Sequence, residues 1–202
     1  MTAADHIHAR PGRPRAFDKD DAVRAMTDVF RRAGYEAASL GDLTAAAGLS
    51  RSSFYGCFGS KHGALLACMQ GYVDRAMSDA KAGVAAAPDG RTGALRMVAA
   101  LSGSCLASGG CLAVNCMTEL APHDPEVAAI LRDHLGRMQA LLARALSPEA
   151  PALAEDAAGA LLSLAVGALT LRKAGVGSAA QDAVSAASAL IQTRFAGPPA
   201  PG

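Results

Sequence analysis

Apolar positions recur along this chain at spacings of three and four residues, a helical rhythm that begins near residue 18. Ala22, Met26, Val29, Phe30 and Ala33 share one face of a first helix. Asp18 can cap it, Asp20 and Asp21 sit in its opening turn, and Gly34 can close it. Beyond the bend at Gly34 and Tyr35, Ser39 precedes Leu40, Leu43, Ala46 and Ala47, the pattern of a short helix. Gly48, Leu49 and Ser50 interrupt it before a second short helix from Arg51 to Phe58. Helix, tight turn and helix are predicted: Gly48 supplies a positive φ, Leu49 plugs the space between the helices, and Ser50 caps the second.

Gly59 and Ser60 lead into a long helix from about Lys61, with Leu65, Leu66, Met69, Tyr72, Val73 and Met77 on one side, ending at Pro88-Asp89-Gly90. Leu95, Val98 and Leu101 predict another, and residues 111–120 one more after the Gly109-Gly110 break. Asp124 at a cap with Pro125 at the first helical position starts a helix that Val127, Ile130, Leu131, His134, Leu135, Met138, Leu141, Leu142 and Ala145 continue. Ser147, Pro148 and Pro151 stop it, and two last helices follow over about 151–174 and 178–196. Residues 1–16, with Pro11, Gly12 and Pro14 among bases, read as a disordered basic arm, and residues 197–202 as a disordered tail; there is no internal repeat.

Composition agrees. The 202 residues are 51% hydrophobic, 48 of them alanine, while aromatic residues make up 4% and tryptophan is absent. Alanine loses little freedom in a helix and strands favour β-branched and aromatic side chains, so the fold class is all-α. The length suits one or two domains.

The net charge of +1 conceals an uneven distribution. Residues 10–62 carry nine Arg and Lys against six acids, +3, which leaves −2 for the remainder. The first residues hold Asp5, His6, His8 and Pro11 where a signal peptide would need a basic and then an apolar run. The longest uncharged stretch, 97–118, is broken by glycine, serine and asparagine, and Ala157 to Leu171 suits a buried helix better than a bilayer span. Five cysteines, an odd number, then point to reduced thiols in the cytoplasm and no membrane partner.

The helix-turn-helix carries the sharpest functional signal. Its second helix would lie in the DNA major groove, with outward positions able to reach bases and phosphates. Arg51, Ser52, Ser53 and Tyr55 fit the outward set and Phe54 and Phe58 the inward one. A plain helical hairpin is the alternative, but it has no need of Arg, Ser, Ser and Tyr together on one short helix after a glycine turn.

Residues 12–72 resemble the amino-terminal domain of TetR-type transcriptional regulators. The stretch from Ser39 to Leu66, SLGDLTAAAGLSRSSFYGCFGSKHGALL, carries the likeness through its Gly48 turn, the late Tyr55 and the Phe58-x-x-Lys61 junction. The resemblance implies base and nearby phosphate contacts from Arg51, Ser52 and Ser53, and phosphate contacts from Tyr55 and Lys61. Thr44 is expected to touch the DNA backbone, and Arg13 and Arg15 to reach a neighbouring groove from the arm, unless that arm is only a solvated basic tail. Gly56, Cys57 and His62 depart from the family's usual residues, and Gly56 leaves a contact position empty.

The implied organisation is a helix-turn-helix domain over 17–62 and a helical ligand-binding and dimerisation domain over 63–196. The implied function is a homodimeric repressor, not an enzyme and without cofactor, released from double-stranded palindromic operator DNA by a small-molecule effector. Gly159, Ala160, Ser163, Gly167, Ala168, Ser185, Ala186 and Ala189 are small enough for a close interface between copies, or for an internal alanine-rich core.

Cys111 follows two glycines and opens a helix, where unpaired N–H groups favour a thiolate. The segment from Gly110 to Glu119, GCLAVNCMTE, with Gly12-Arg-Pro-Arg15, Phe17 and Asp18, is also similar to a TetR subgroup that includes NemR-type, electrophile- and oxidant-responsive repressors. That likeness implies a reactive Cys111; a small buried packing residue is the alternative. Cys116, His134 and Met138 complete the candidate sensor or ligand set. A metal-responsive repressor using Cys105, Cys111 and Cys116 is disfavoured, because spacings of six and five do not share a helical face. A helical enzyme with Cys111 as nucleophile would need His123 as its base and leaves the helix-turn-helix unexplained.

Overall fold

The computed structural model describes residues 18–103, 110–148 and 151–195. Among these residues the chain forms nine α-helices and no strand. They are α1 (Lys19–Ala33), α2 (Leu40–Ala47), α3 (Arg51–Phe58), α4 (Lys61–Ala85), α5 (Gly90–Gly103), α6 (Leu112–Glu119), α7 (Pro125–Leu146), α8 (Glu155–Lys173) and α9 (Gly177–Arg194), with a 3-10 turn, Pro151–Ala154, leading into α8. Arg13, Arg15, Cys105, the arm and the tail lie outside the described residues.

The caps fall where the sequence places them. The Asp18 carboxylate accepts from the amides of Asp20 and Asp21, and that of Asp124 from Glu126 and Val127 with Pro125 at the first position. Gly34 closes α1 at φ 80° and Gly48 closes α2 at φ 64°, the left-handed region that glycine enters without steric cost.

Two apolar cores hold the helices. The first joins Met26 and Phe30 of α1, Leu43 of α2, Phe54 of α3 and Leu65 and Met69 of α4, and it extends to Leu112 and Cys116 of α6 and Val127 and Leu131 of α7. The second gathers Met77, Val98, Met138, Leu142, Leu161 and Ile191 from α4, α5, α7, α8 and α9. Burial of each such side chain stabilises the fold by about 1.5–3 kcal/mol. Helix α4 runs from one core into the other, so a change in its tilt moves both.

Residues 151–173 are long and apolar enough, by length and composition, to cross a bilayer. Here the Ala157, Leu161, Ala165 and Ala168 face of α8 is buried against its neighbours α5, α7 and α9. Ala168 therefore belongs to the internal packing, whereas Ala160 and Ser163 of α8 and Ser185, Ala186 and Ala189 of α9 face outward.

Candidate nucleic-acid interface

The interface is built on the α2–turn–α3 unit. Ser39 and Asp42 form a reciprocal capping box, the Ser39 hydroxyl accepting from the Asp42 amide at 3.1 Å and the Asp42 carboxylate from the Ser39 amide at 3.1 Å. Hydrogen bonds from the Ser39 hydroxyl and amide hold the Asp42 carboxyl below the usual carboxylate range. The Leu49 amide then donates to the Thr44 carbonyl at 2.9 Å, and Leu49 packs half-buried against the first core. Ser50 caps α3 by accepting from the Ser53 amide at 3.1 Å.

With the turn fixed, the two faces of α3 separate. Phe54 is fully buried and Phe58 nearly so, their ring centroids 5.5 Å apart. Arg51, Ser52, Ser53, Gly56 and Cys57 are exposed, and Tyr55 keeps 51% of its surface accessible although its ring meets the edge of Phe54. The hydroxyls of Ser52 and Ser53 lie 3.0 and 2.9 Å from that of Ser50, a cluster of three hydroxyls at the start of the helix. Arg51, Ser52, Ser53 and Tyr55 thus share one solvent-facing surface.

Two expected contact residues make contacts within the chain. Thr44 is buried, and its hydroxyl donates back to the carbonyls of Leu40 and Gly41 at 2.9 and 3.1 Å. Lys61 is half-buried; its ammonium donates to the Glu36 carbonyl at 3.2 Å and lies 4.6 Å from the centre of the Tyr35 ring. Its charge is thereby held at the α1–α2 turn, beside the exposed edge of the unit. A cation absent from the expected set, Lys19, lies 5.8 Å from the Phe58 ring centre and adds positive charge close to α3.

A polar network ties this unit to the rest of the molecule. The Glu119 carboxylate, at the end of α6, accepts from the Tyr35 amide at 3.0 Å and the Glu36 amide at 2.8 Å. The Arg31 guanidinium donates to the Gly110 carbonyl at 2.9 Å. The buried Asn115 side chain donates to the Arg31 carbonyl at 3.0 Å and accepts from the Lys173 ammonium of α8 at 2.6 Å. None of these partners is close in sequence, and no local pattern announces them.

Cys111 stands inside this network as the N-cap residue of α6, half-buried, with the Tyr72 hydroxyl donating to its sulfur at 3.3 Å. Cys116 is buried, and burial pushes its thiol up to about 12, so at neutral pH it is a packing thiol. His134 and Met138 are buried in the interior of α7, and neither lines the cleft of about 610 Å³ that opens between α1, α4 and α5. Among the described residues no three metal-ligating side chains converge.

Residues 23–68 match the family described as bacterial regulatory proteins, tetR family. The HTH-type transcriptional repressor ComR of Escherichia coli (strain K12) is 32% identical over 125 residues, which cover 60% of each chain. The chain thus spans about three fifths of that relative's length. In fold, the chain is similar to the TetR family transcriptional regulator CifR, solved as a cysteine mutant complexed with 26-bp double-strand operator DNA. There the TM-score is 0.73 at 24% identity, covering 90% of this chain and 99% of CifR. It is also similar to the reduced form of E. coli NemR, with a TM-score of 0.68 at 17% identity over 84% of this chain and 97% of NemR. Residues 23–68 thus carry the amino-terminal domain of the tetR family of bacterial regulatory proteins, and the chain as a whole shares the fold of the solved regulators it resembles.

Proposed function

We propose that the protein is a homodimeric, cytoplasmic transcriptional repressor that binds a palindromic double-stranded operator through α3 and has no catalytic step. The observation that carries this reading is the surface of α3. Arg51, Ser52, Ser53 and Tyr55 point outward together, on a helix whose other face is locked by Phe54 and Phe58. An arginine in the groove can pair with a guanine edge, and hydroxyls at a helix start suit phosphate oxygens. Lys61 and Lys19 add charge at the flanks, and Arg13 and Arg15 extend the contact from the arm.

One recognition helix of eight residues reads few bases. Two of them, set about one helical turn (~34 Å) apart by a two-fold dimer, read a palindrome. The outward small residues of α8 and α9 suit the close approach such a dimer needs. Release then follows when an effector, or modification of Cys111, favours a spacing that the operator cannot accept. Cys111 is suited to this role because its Tyr72 and Gly110 neighbours connect it to α4 and, through Arg31, to α1.

A gel-shift titration against the DNA flanking the protein's own gene, repeated at several salt concentrations, tests the reading. A saturable complex that weakens steeply with salt and is lost in Arg51→Ala and Tyr55→Ala supports it. Affinity no better than for random DNA overturns it.

A further inference from the structure

We propose that the cleft between α1, α4 and α5 is a binding site for an organic anion with an apolar body. It lies where α1 of the helix-turn-helix unit meets the body helices, and its wall backs onto the second apolar core through Met97. Its volume, about 610 Å³, falls in the range of sites for small organic ligands. The wall is apolar where Ala76, Ala80, Met97 and Leu101 contribute, a surface that suits hydrocarbon or an aromatic ring.

The rim has an excess of positive charge. Four arginines and two aspartates line the cleft. Arg24 already pairs with Asp21, outside the cleft, and Arg31 with Asp28. Arg75 and Arg96 have no ion pair among the described residues; Arg96 makes a single hydrogen bond of 3.3 Å to the Ala86 carbonyl. Two exposed guanidiniums therefore stand against one remaining carboxylate, Asp79. A planar guanidinium recognises a carboxylate or sulfonate through paired N–H donors.

An occupant would touch both the first helix of the DNA-binding unit, at Thr27 and Asp28, and the body helices at Met97 and Leu101. Its affinity then depends on how α1 sits against α4 and α5, which is the condition for a bound ligand to shift that arrangement. Tyr72 lines the same cleft and holds the Cys111 sulfur, so occupancy also bears on that thiol. The regulatory consequence rests on the repressor reading; the binding itself does not.

The test is a fluorescence titration of the full chain with 1-anilinonaphthalene-8-sulfonate, and in parallel with its uncharged counterpart N-phenyl-1-naphthylamine. The expected result is one saturable sulfonate site per chain, weakened roughly tenfold by Arg75→Gln and by Arg96→Gln and tightened by Asp79→Asn. The uncharged probe should bind more weakly and ignore all three substitutions. Identical sulfonate titrations in wild type and the Arg75→Gln/Arg96→Gln double variant overturn the proposal, as does equal affinity for the two probes. Gel shifts on the same samples keep the two readings apart: arginine-dependent probe binding by a protein that ignores operator DNA leaves the site standing and sinks the repressor.

Discussion

The Tyr72 hydroxyl of α4 donates a hydrogen bond to the Cys111 sulfur at the head of α6, 3.3 Å away. The contact joins the helix that spans both cores to the loop that Arg31 of α1 also grips, through Gly110. A group added to that sulfur competes with the tyrosine for the space beside α4.

This placement ranks the thiols. Cys57 is exposed and Cys111 half-buried, while Cys68 and Cys116 are buried, their thiols pushed up to about 12 by desolvation. Brief treatment with N-ethylmaleimide at neutral pH should label Cys57 and Cys111 and spare Cys68 and Cys116, read by peptide mass spectrometry. In a Cys57→Ser background the same treatment should release operator DNA, and Cys111→Ser should abolish that release. Release that survives in Cys111→Ser removes the residue from the mechanism.

Glu119 is expected to matter more than a half-exposed glutamate ordinarily does. Its two oxygens accept the amides of Tyr35 and Glu36, at the turn that leads into α2. Glu119→Ala should cost about 1–2 kcal/mol, and Glu119→Gln, which keeps one acceptor oxygen, less. Thermal unfolding should show a fall of roughly 2–8 °C for the alanine variant. Operator affinity should fall with it, since α6 no longer fixes the angle of the α2–α3 unit. An unchanged melting curve would show that the two hydrogen bonds do not contribute.

The legible and illegible parts of this molecule divide by range. The α2–turn–α3 unit can be read because each instruction is local: Ser39 with Asp42, Gly48 at positive φ, Ser50 with the Ser53 amide. Tyr55 and Phe54 are legible as opposite faces for the same reason, since helical spacing alone separates them. The Thr44 hydroxyl is not legible in this way, because a helical threonine can return it to a carbonyl one turn back, which spacing cannot distinguish from an outward contact. Glu119 and Asn115 are invisible in sequence because their partners lie 58 to 84 residues away. The cleft arginines escape for a related reason: Arg75 and Arg96 read as solvated surface until α4 and α5 are set side by side.

His134 makes stability depend on pH. Burial first, and the positive charge of Arg137 second, lower its pKa from the ordinary 6.5, and its Nδ1 has no hydrogen-bond partner among the described residues. The unfolded chain therefore binds this proton more readily than the folded one. The contribution is full above pH 6.5 and is lost as pH falls toward the folded value. Thermal unfolding from about pH 7.5 down to about pH 5.5 should show a steeper loss in wild type than in His134→Leu, which fills the site without a titrating group. Parallel curves for the two proteins would place the acid sensitivity elsewhere.

Two glycines eight positions apart should respond to alanine with opposite signs. Gly48 holds φ 64° at the end of α2, and a Cβ there would meet nothing within 4 Å, so the penalty of Gly48→Ala is purely conformational. An L-residue in this region costs roughly 1–2 kcal/mol, and Gly48→Asn should recover part of it. Gly56 lies within α3, exposed, with equally open space around its Cβ position and no positive φ. Gly56→Ala should therefore stabilise by about 0.5–1 kcal/mol, because glycine surrenders more backbone entropy on entering a helix. Denaturant unfolding of the two variants measures both signs. Operator binding adds a second readout for Gly56: its Cα lies on the α3 face proposed to meet DNA, so an added methyl that stabilises the protein but weakens the complex would mark a close approach of DNA at that position.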